Sequence, residues 1–382
     1  MTISAARAAH ASVPFVDLAA QHREIADEVL GEVQRVLEEG AFIGGPAVAG
    51  FEAEYSAFLG VRHCVGVANG TDALELALRA VGVQAGGEVI LPANTFVATA
   101  EAVMRAGARP VLVDVDPVHL LIDPEAVERA VGPRTQAIVP VHLFGQTAAV
   151  ERLTPVALER GVAIVEDAAQ AQGARRFGRA AGTLGDAAAT SFYPGKNLGA
   201  GGDAGAVTTN DGILADEVRL LAAHGSRAKY VHERVGVNSR LDALQAVVLR
   251  AKLRRLEAWN ARRRAAAELY GQLLAGVPGL VVPRSMAGNE DVWHLYVVRV
   301  LGEGRRESVQ AALGAAGIAT GVHYPTPVHL TPAFRFLGYG AGTFPVAEAA
   351  ASQILSLPMH PHLTAEQVER VAGAVRAAVV GC

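Results

Sequence analysis

The chain has 382 residues, 51% of them hydrophobic and 19% charged, which is longer than one ordinary core requires and argues against a long disordered tail. Its 34 basic and 38 acidic residues leave a net charge of −4, and no basic surface emerges that would hold a nucleic acid. Two cysteines, Cys64 and Cys382, are too few for a disulfide framework or an iron–sulfur site and fit a reducing compartment.

The opening MTISAARAAHASVPF lacks the sustained apolar stretch of a signal peptide. No uninterrupted apolar run is long enough to cross a bilayer, so a cytoplasmic protein with no membrane partner is expected. Between about Cys64 and Val207, short β-branched runs alternate with helix-like stretches, the pattern of an α/β fold with a mostly parallel sheet. Strands buried on both faces are expected at 64–68, 88–92, 110–114, 137–141, 162–167 and 188–192, with helices over 73–81 and 98–106 between them. From Leu241 to about Leu274 the pattern becomes helical, with Leu244, Val248, Leu256 and Trp259 near helical spacing, and this stretch reads as the link between domains. The basic run 252–264 inside it reads as the polar face of an amphipathic helix. Beyond Val277, a strand at 293–300 and helices at 306–316 and 347–354 predict a smaller α+β domain. The expected division is a large domain with an N-terminal arm over 1–250 and a small domain over 251–382.

Three segments carry chemistry. Asn69-Gly70-Thr71-Asp72 ends a strand and opens a helix, so its free N–H groups read either as an anion cradle or as an ordinary N-cap. In the 162–170 segment, strand alternation sends Glu166 and Asp167 to opposite faces, and only one can meet a ligand at the strand's carboxyl end. Asp167 is assigned that role, with Glu166 left as a paired structural carboxylate. In Ser191-Phe-Tyr-Pro-Gly-Lys-Asn-Leu-Gly199, a lysine held in an apolar, glycine-rich turn is a candidate for a lowered pKa and amine chemistry. A phosphate-binding Walker loop is excluded there because Asn197 follows Lys196 where Ser or Thr is required.

Six ordered motifs, GTDALELAL from Gly70, TFVATAEAV from Thr95, PVHLFGQ from Pro140, EDAAQAQGA from Glu166, SFYPGKNLGAGGDAGAV from Ser191 and GVNSRLDALQA from Gly236, together resemble the DegT/StrS family of sugar aminotransferases. The resemblance runs from about Val13 to His362. It implies a fold-type-I enzyme dependent on pyridoxal 5′-phosphate (PLP), with Lys196 as the lysine that links to the cofactor as a Schiff base and Asp167 as the partner of the pyridine nitrogen. It further implies that Phe96 stacks on the ring, that Gly70, Thr71 and Ser191 hold the phosphate, and that Gln170 bonds the phenolic oxygen. Asn238 and Arg240 are implied to reach the neighbouring subunit's site in a homodimer, Asn238 to the phosphate and Arg240 toward the substrate. His323 and Tyr324 resemble a stretch lining the sugar-nucleotide pocket, with Lys229 and Tyr230 as further substrate candidates.

Glutamate is then the expected amino donor and a dTDP- or UDP-linked keto-hexose the acceptor, the segments GVNSRLD and HYPTP resembling enzymes that aminate C3. Amination at C4, or of a keto-inositol, is the alternative. Family members that act as sugar dehydratases carry histidine at the position of Lys196, and one group adds an iron–sulfur cluster, so the lysine favours transamination. A PLP-binding regulator without turnover is the reading from another class. It predicts a DNA-binding element, and the sequence offers no helix-turn-helix or basic recognition helix.

Overall fold

In the computed structural model, which describes residues 12–381, the apolar runs of the first half assemble into one seven-stranded sheet. Its order is His63–Val67, Gly205–Thr209, Ala187–Ser191, Ala163–Asp167, Thr135–Ile138, Glu88–Pro92, Arg109–Val113. All run parallel except Gly205–Thr209, which is antiparallel to both neighbours. Each expected strand is present within a few residues of its expected bounds. The Gly205–Thr209 strand is additional: it follows the glycine-rich stretch 199–205, which carries no strand signal, and two of its five residues are Gly and Ala.

The register defines one functional edge. Gly205 is paired with both Val67 and Ser191, and Asp167 with Ala189, so three parallel strands present their carboxyl ends together. The helix Gly70–Ala80 leaves that edge and buries Ala73, Leu74, Leu76, Ala77 and Leu78 against the sheet. Each fully buried Leu there contributes about 1.5–3 kcal/mol.

Helices Ala26–Glu39 and Gly45–Leu59 precede the sheet and pack on the 32-residue helix Ala243–Leu274. That long helix contributes Leu249, Leu253 and Leu256 to a core with Phe51 and Tyr55, and Ala266, Ala267, Tyr270 and Leu274 to the C-terminal core. The expected polar face is present in part: Arg254, Glu257, Ala258, Ala261 and Arg262 form an exposed stripe, but the basic run 252–264 is not a solvated face throughout. Lys252 and Arg263 are buried, whereas Arg254 and Arg255 pair with Glu28, Arg262 with Glu24, and Arg264 with Glu290.

The C-terminal layer is a three-stranded antiparallel sheet, Leu280–Val281, Tyr296–Val300 and Ile354–Leu357, backed by helices Arg305–Ala315 and Ala365–Gly381. Strand alternation divides its central strand: Tyr296, Val298 and Val300 fill the C-terminal core, while Leu295 and Val297 face the large sheet's core. Val13 pairs with Ile318 and joins the C-terminal core. Cys64 is buried and free, and Cys382 lies outside the described residues. Among the described residues no helix is long and apolar enough to cross a membrane.

Candidate active site

The carboxyl edge of the sheet opens into a cavity of about 610 Å³ lined by Gly70, Thr71, Phe96, Asp167, Gln170, Ser191, Lys196 and Tyr324, together with Asn69, Thr95, Thr99, Tyr193 and Asp203. Its size is that of an ordinary small-molecule site.

At one end stands the N-terminus of the Gly70–Ala80 helix. Asn69 caps it by accepting from the Asp72 N–H at 2.8 Å, so both readings of the tetrad hold at once: the side chain caps the helix, and the first turn still opens onto the cavity. Glycine is required at 70 by close packing, since a Cβ there would lie 2.5 Å from Ser191 Cβ. Gly205 is equally confined, a Cβ coming 2.4 Å from the Asn69 carbonyl. The Ser191 hydroxyl accepts from the Tyr193 N–H at 3.3 Å, which leaves its own hydrogen free to donate.

Adjacent carboxylates have separate environments. Glu166, fully buried behind the sheet, accepts from the Gly182, Leu184 and Gly185 N–H groups at 2.8, 2.6 and 2.8 Å and pairs with His142 Nε2 at 2.8 Å. His142 Nδ1 accepts from the Ala148 N–H at 3.0 Å, so the ring proton sits on Nε2 and is donated to Glu166. Asp167 faces the cavity. Its Oδ1 accepts from the Ala169 N–H at 3.1 Å and its Oδ2 from the Thr99 hydroxyl at 2.8 Å, with Thr95 Oγ1 a further 2.8 Å from Thr99 Oγ1.

Lys196 occupies the turn after the Ala187–Ser191 strand, its N–H donating to the Tyr193 carbonyl at 2.8 Å. Burial lowers its ammonium to about 8 against the opposing pull of the Asp167 charge. The following residue, Asn197, is buried and bonded to Asn260, Val292 and His294.

Gln170 bridges two walls. Its Oε1 accepts from the Phe144 N–H at 2.6 Å, and its Nε2 donates to Tyr324 Oη at 3.1 Å. Phe96 is half exposed at the cavity, its ring 5.1 Å from that of Tyr324. Burial, with the Asp167 charge, pushes the Tyr324 phenol well above its ordinary value. His323 lies behind Tyr324, bonded through Nδ1 to Ser356 Oγ at 2.8 Å and stacked on Phe15.

Four expected residues lie apart from this cavity within one chain. Asn238 and Arg240 are exposed on either side of Ser239, which is anchored by donating to Asp72 Oδ2 at 2.7 Å and accepting from the Ala68 N–H. Lys229 and Tyr230 form the tip of an exposed hairpin, the ammonium 5.2 Å from the ring centroid. Sequence reasoning omits Thr99, Asn197 and His294, whose bonding partners are far away in the chain.

These features fit PLP on the observed donor set: anion-binding N–H groups and hydroxyls at one end, a carboxylate at the other, and between them a lysine poised to lose its proton.

Residues 23–376 match the family described as DegT/DnrJ/EryC1/StrS aminotransferase family. The chain is 49% identical over 365 residues to the erythromycin biosynthesis sensory transduction protein EryC1 of Saccharopolyspora erythraea, covering 96% of this chain and 99% of that one. It is 48% identical over 370 residues to the dTDP-3-amino-3,4,6-trideoxy-alpha-D-glucose transaminase of Streptomyces venezuelae, covering 97% of each. Among solved structures, S. venezuelae DesV in complex with a ketimine intermediate superposes with a TM-score of 0.94 at 48% identity, over 97% of this chain and 99% of that one.

Proposed function

The chain belongs to the DegT/DnrJ/EryC1/StrS aminotransferase family, whose members depend on PLP, and from that premise we propose that it moves an amino group from glutamate to a nucleotide-linked 3-keto-hexose. The observation that carries the reading is Lys196, a lysine of lowered pKa beside Asp167 in the cavity. The 3-amino sugar in the name of the S. venezuelae relative supports C3 as the position aminated and dTDP as one nucleotide.

Bound in this cavity, PLP supplies an electrophilic aldehyde and a ring that accepts the electrons left when the substrate's Cα proton departs. Asp167 holds a proton on the pyridine nitrogen through a charge-assisted bond, and Thr99 and Ala169 fix that carboxylate in place. With PLP bound, the uncharged Lys196 amine would be the nucleophile for its aldehyde, the oxygen leaving as water, and once freed by the donor would be the base for the Cα proton. Gly70, Thr71 and Ser191 hold the phosphate at the helix N-terminus. Phe96 covers one face of the ring, and Gln170, with one N–H on Tyr324, has a second to offer the phenolic oxygen. The two half-reactions share one site in turn, glutamate leaving as its keto acid before the sugar binds.

The exposed pair Asn238 and Arg240 serves the partner subunit of a homodimer, Asn238 at the phosphate and Arg240 on the substrate side, which accounts for their distance from the cavity of their own chain. Tyr324 faces the sugar nucleotide with His323 packed behind it on Ser356 and Phe15, while Lys229 and Tyr230 lie outside their own chain's cavity and would meet the substrate only if their exposed hairpin lies over a site. The test is a panel of 3-keto and 4-keto dTDP- and UDP-sugars supplied with glutamate. Turnover of the 3-keto members is expected, and turnover confined to 4-keto sugars or a keto-inositol contradicts the assignment.

A further inference from the structure

The turn that carries Lys196 is held from behind by a chain of buried amides. Asn197 Nδ2 donates to Asn260 Oδ1 and to the Val292 carbonyl, both at 2.9 Å. Asn260 Nδ2 donates to the Gln172 carbonyl at 2.9 Å, and Gln172 Nε2 donates to Thr190 Oγ1 and the Ser191 carbonyl, also at 2.9 Å. The chain therefore ties the long helix to the strand end at which the lysine turn begins.

One bond in this chain fixes the state of a histidine. The Val292 carbonyl can only accept, so the Asn197 amide must present Nδ2 to it and Oδ1 to the other side. Oδ1 meets His294 Nδ1 at 3.1 Å, so that nitrogen carries a hydrogen and donates. The charged and titratable groups acting on His294 are Lys196, Arg263 and His323, and with burial they hold the imidazole well below its ordinary pKa. The ring is neutral, with its hydrogen on Nδ1.

We propose that His294 is a positioning residue for Lys196, acting through its Nδ1–H bond to Asn197 to hold the lysine turn in place at the cavity wall. The proposal rests on the reading of Lys196 as the residue that links to PLP. Without the donor, Asn197 Oδ1 is a buried acceptor with no partner; water drawn to it, or movement of the turn, resolvates the Lys196 ammonium.

Asn and Leu at position 294 both branch at Cγ and leave the same space where the ring was, but only Asn places an N–H where Nδ1 stands. In the cofactor-free full chain, competitive labelling by acetic anhydride across pH, read by mass spectrometry on the Lys196 peptide, reports the titration of that amine. The midpoint is expected near 8 in the unmodified protein and in His294→Asn. In His294→Leu it is expected to rise by at least about one pH unit, a tenfold loss of uncharged amine at a given pH. Should His294→Leu not fold, His294→Gln, whose amide reaches toward the Nε2 position, takes its place. Equal midpoints in the Asn and Leu variants, displaced or not, overturn the proposal. Borohydride trapping of the PLP-loaded protein followed by peptide mapping separates the two claims: PLP on another lysine defeats the reading of Lys196, whereas PLP on Lys196 with equal midpoints defeats only the role of His294.

Discussion

Replacing the two adjacent carboxylates by their amides is expected to have opposite consequences, and the bonding of each gives the size of the effect. Glu166 accepts two hydrogen bonds at each oxygen, Leu184 and Gly185 N–H at Oε1 and His142 Nε2 and Gly182 N–H at Oε2. Whichever oxygen becomes the NH2 group in Glu166→Gln, two buried donors then face a donor. His142 has no escape through its other tautomer, because Nδ1 already accepts from Ala148. At about 1–3 kcal/mol for each orphaned group, the loss is about 2–6 kcal/mol, a large share of an ordinary folding free energy. In Asp167→Asn the amide oxygen keeps the Ala169 N–H, the new NH2 donates to Thr99 Oγ1, and the Thr99 hydrogen turns to Thr95. No group is orphaned, so its stability stays within about 1 kcal/mol, while a neutral partner no longer holds the pyridine proton and the glutamate half-reaction slows by orders of magnitude. Urea unfolding read by circular dichroism measures the first effect, and loss of the cofactor's visible absorbance after rapid mixing with glutamate measures the second. A Glu166→Gln protein as stable as the parent, or an Asp167→Asn protein with a near-normal rate, refutes the assignment of one carboxylate to structure and the other to chemistry.

Because burial disfavours the Lys196 ammonium, the amine loses its proton as pH rises through about 8, and stopped-flow loading of PLP into cofactor-free protein should accelerate across that range. A loading rate that declines there contradicts the sign. Gly70→Ala sets a Cβ 2.5 Å from Ser191 Cβ, and overpacking of about 1–3 kcal/mol where the helix N-terminus opens onto the cavity should weaken PLP binding by about fivefold to a hundredfold in a fluorescence titration. Mixed dimers of Lys196→Ala and Arg240→Ala chains should recover about a quarter of the parent activity after random re-association, since one site in each mixed dimer regains both residues. Verified mixed dimers with no activity, each parent variant still dimeric and PLP-bound, reject a shared site.

What the sequence makes legible here is local. Strand alternation separates Asp167 from Glu166, and a glycine-rich turn after a strand marks Lys196, because both signals lie within a few residues. Thr99 reaches Asp167 across 68 positions and His294 reaches Asn197 across 97, distances at which periodicity carries no information. The strand Gly205–Thr209 is easily passed over for another reason: although Val207, Thr208 and Thr209 are β-branched, it opens with Gly205 and Ala206 straight after the glycine-rich stretch, and Gly205 is held small by the Asn69 carbonyl. The burial of Lys252 and Arg263 is equally hidden, since the run's composition does not say which of its basic residues fall on the packed side of the helix.

The central claim, amino transfer through Lys196 in this cavity, is tested most directly by the first half-reaction alone. PLP-loaded protein mixed with glutamate in the absence of any sugar should lose its visible absorbance and release 2-oxoglutarate, one molecule for each loaded site. Retention of the absorbance with no keto acid formed, from protein whose PLP is shown by borohydride trapping to be on Lys196, contradicts it and leaves a cofactor-binding protein without turnover.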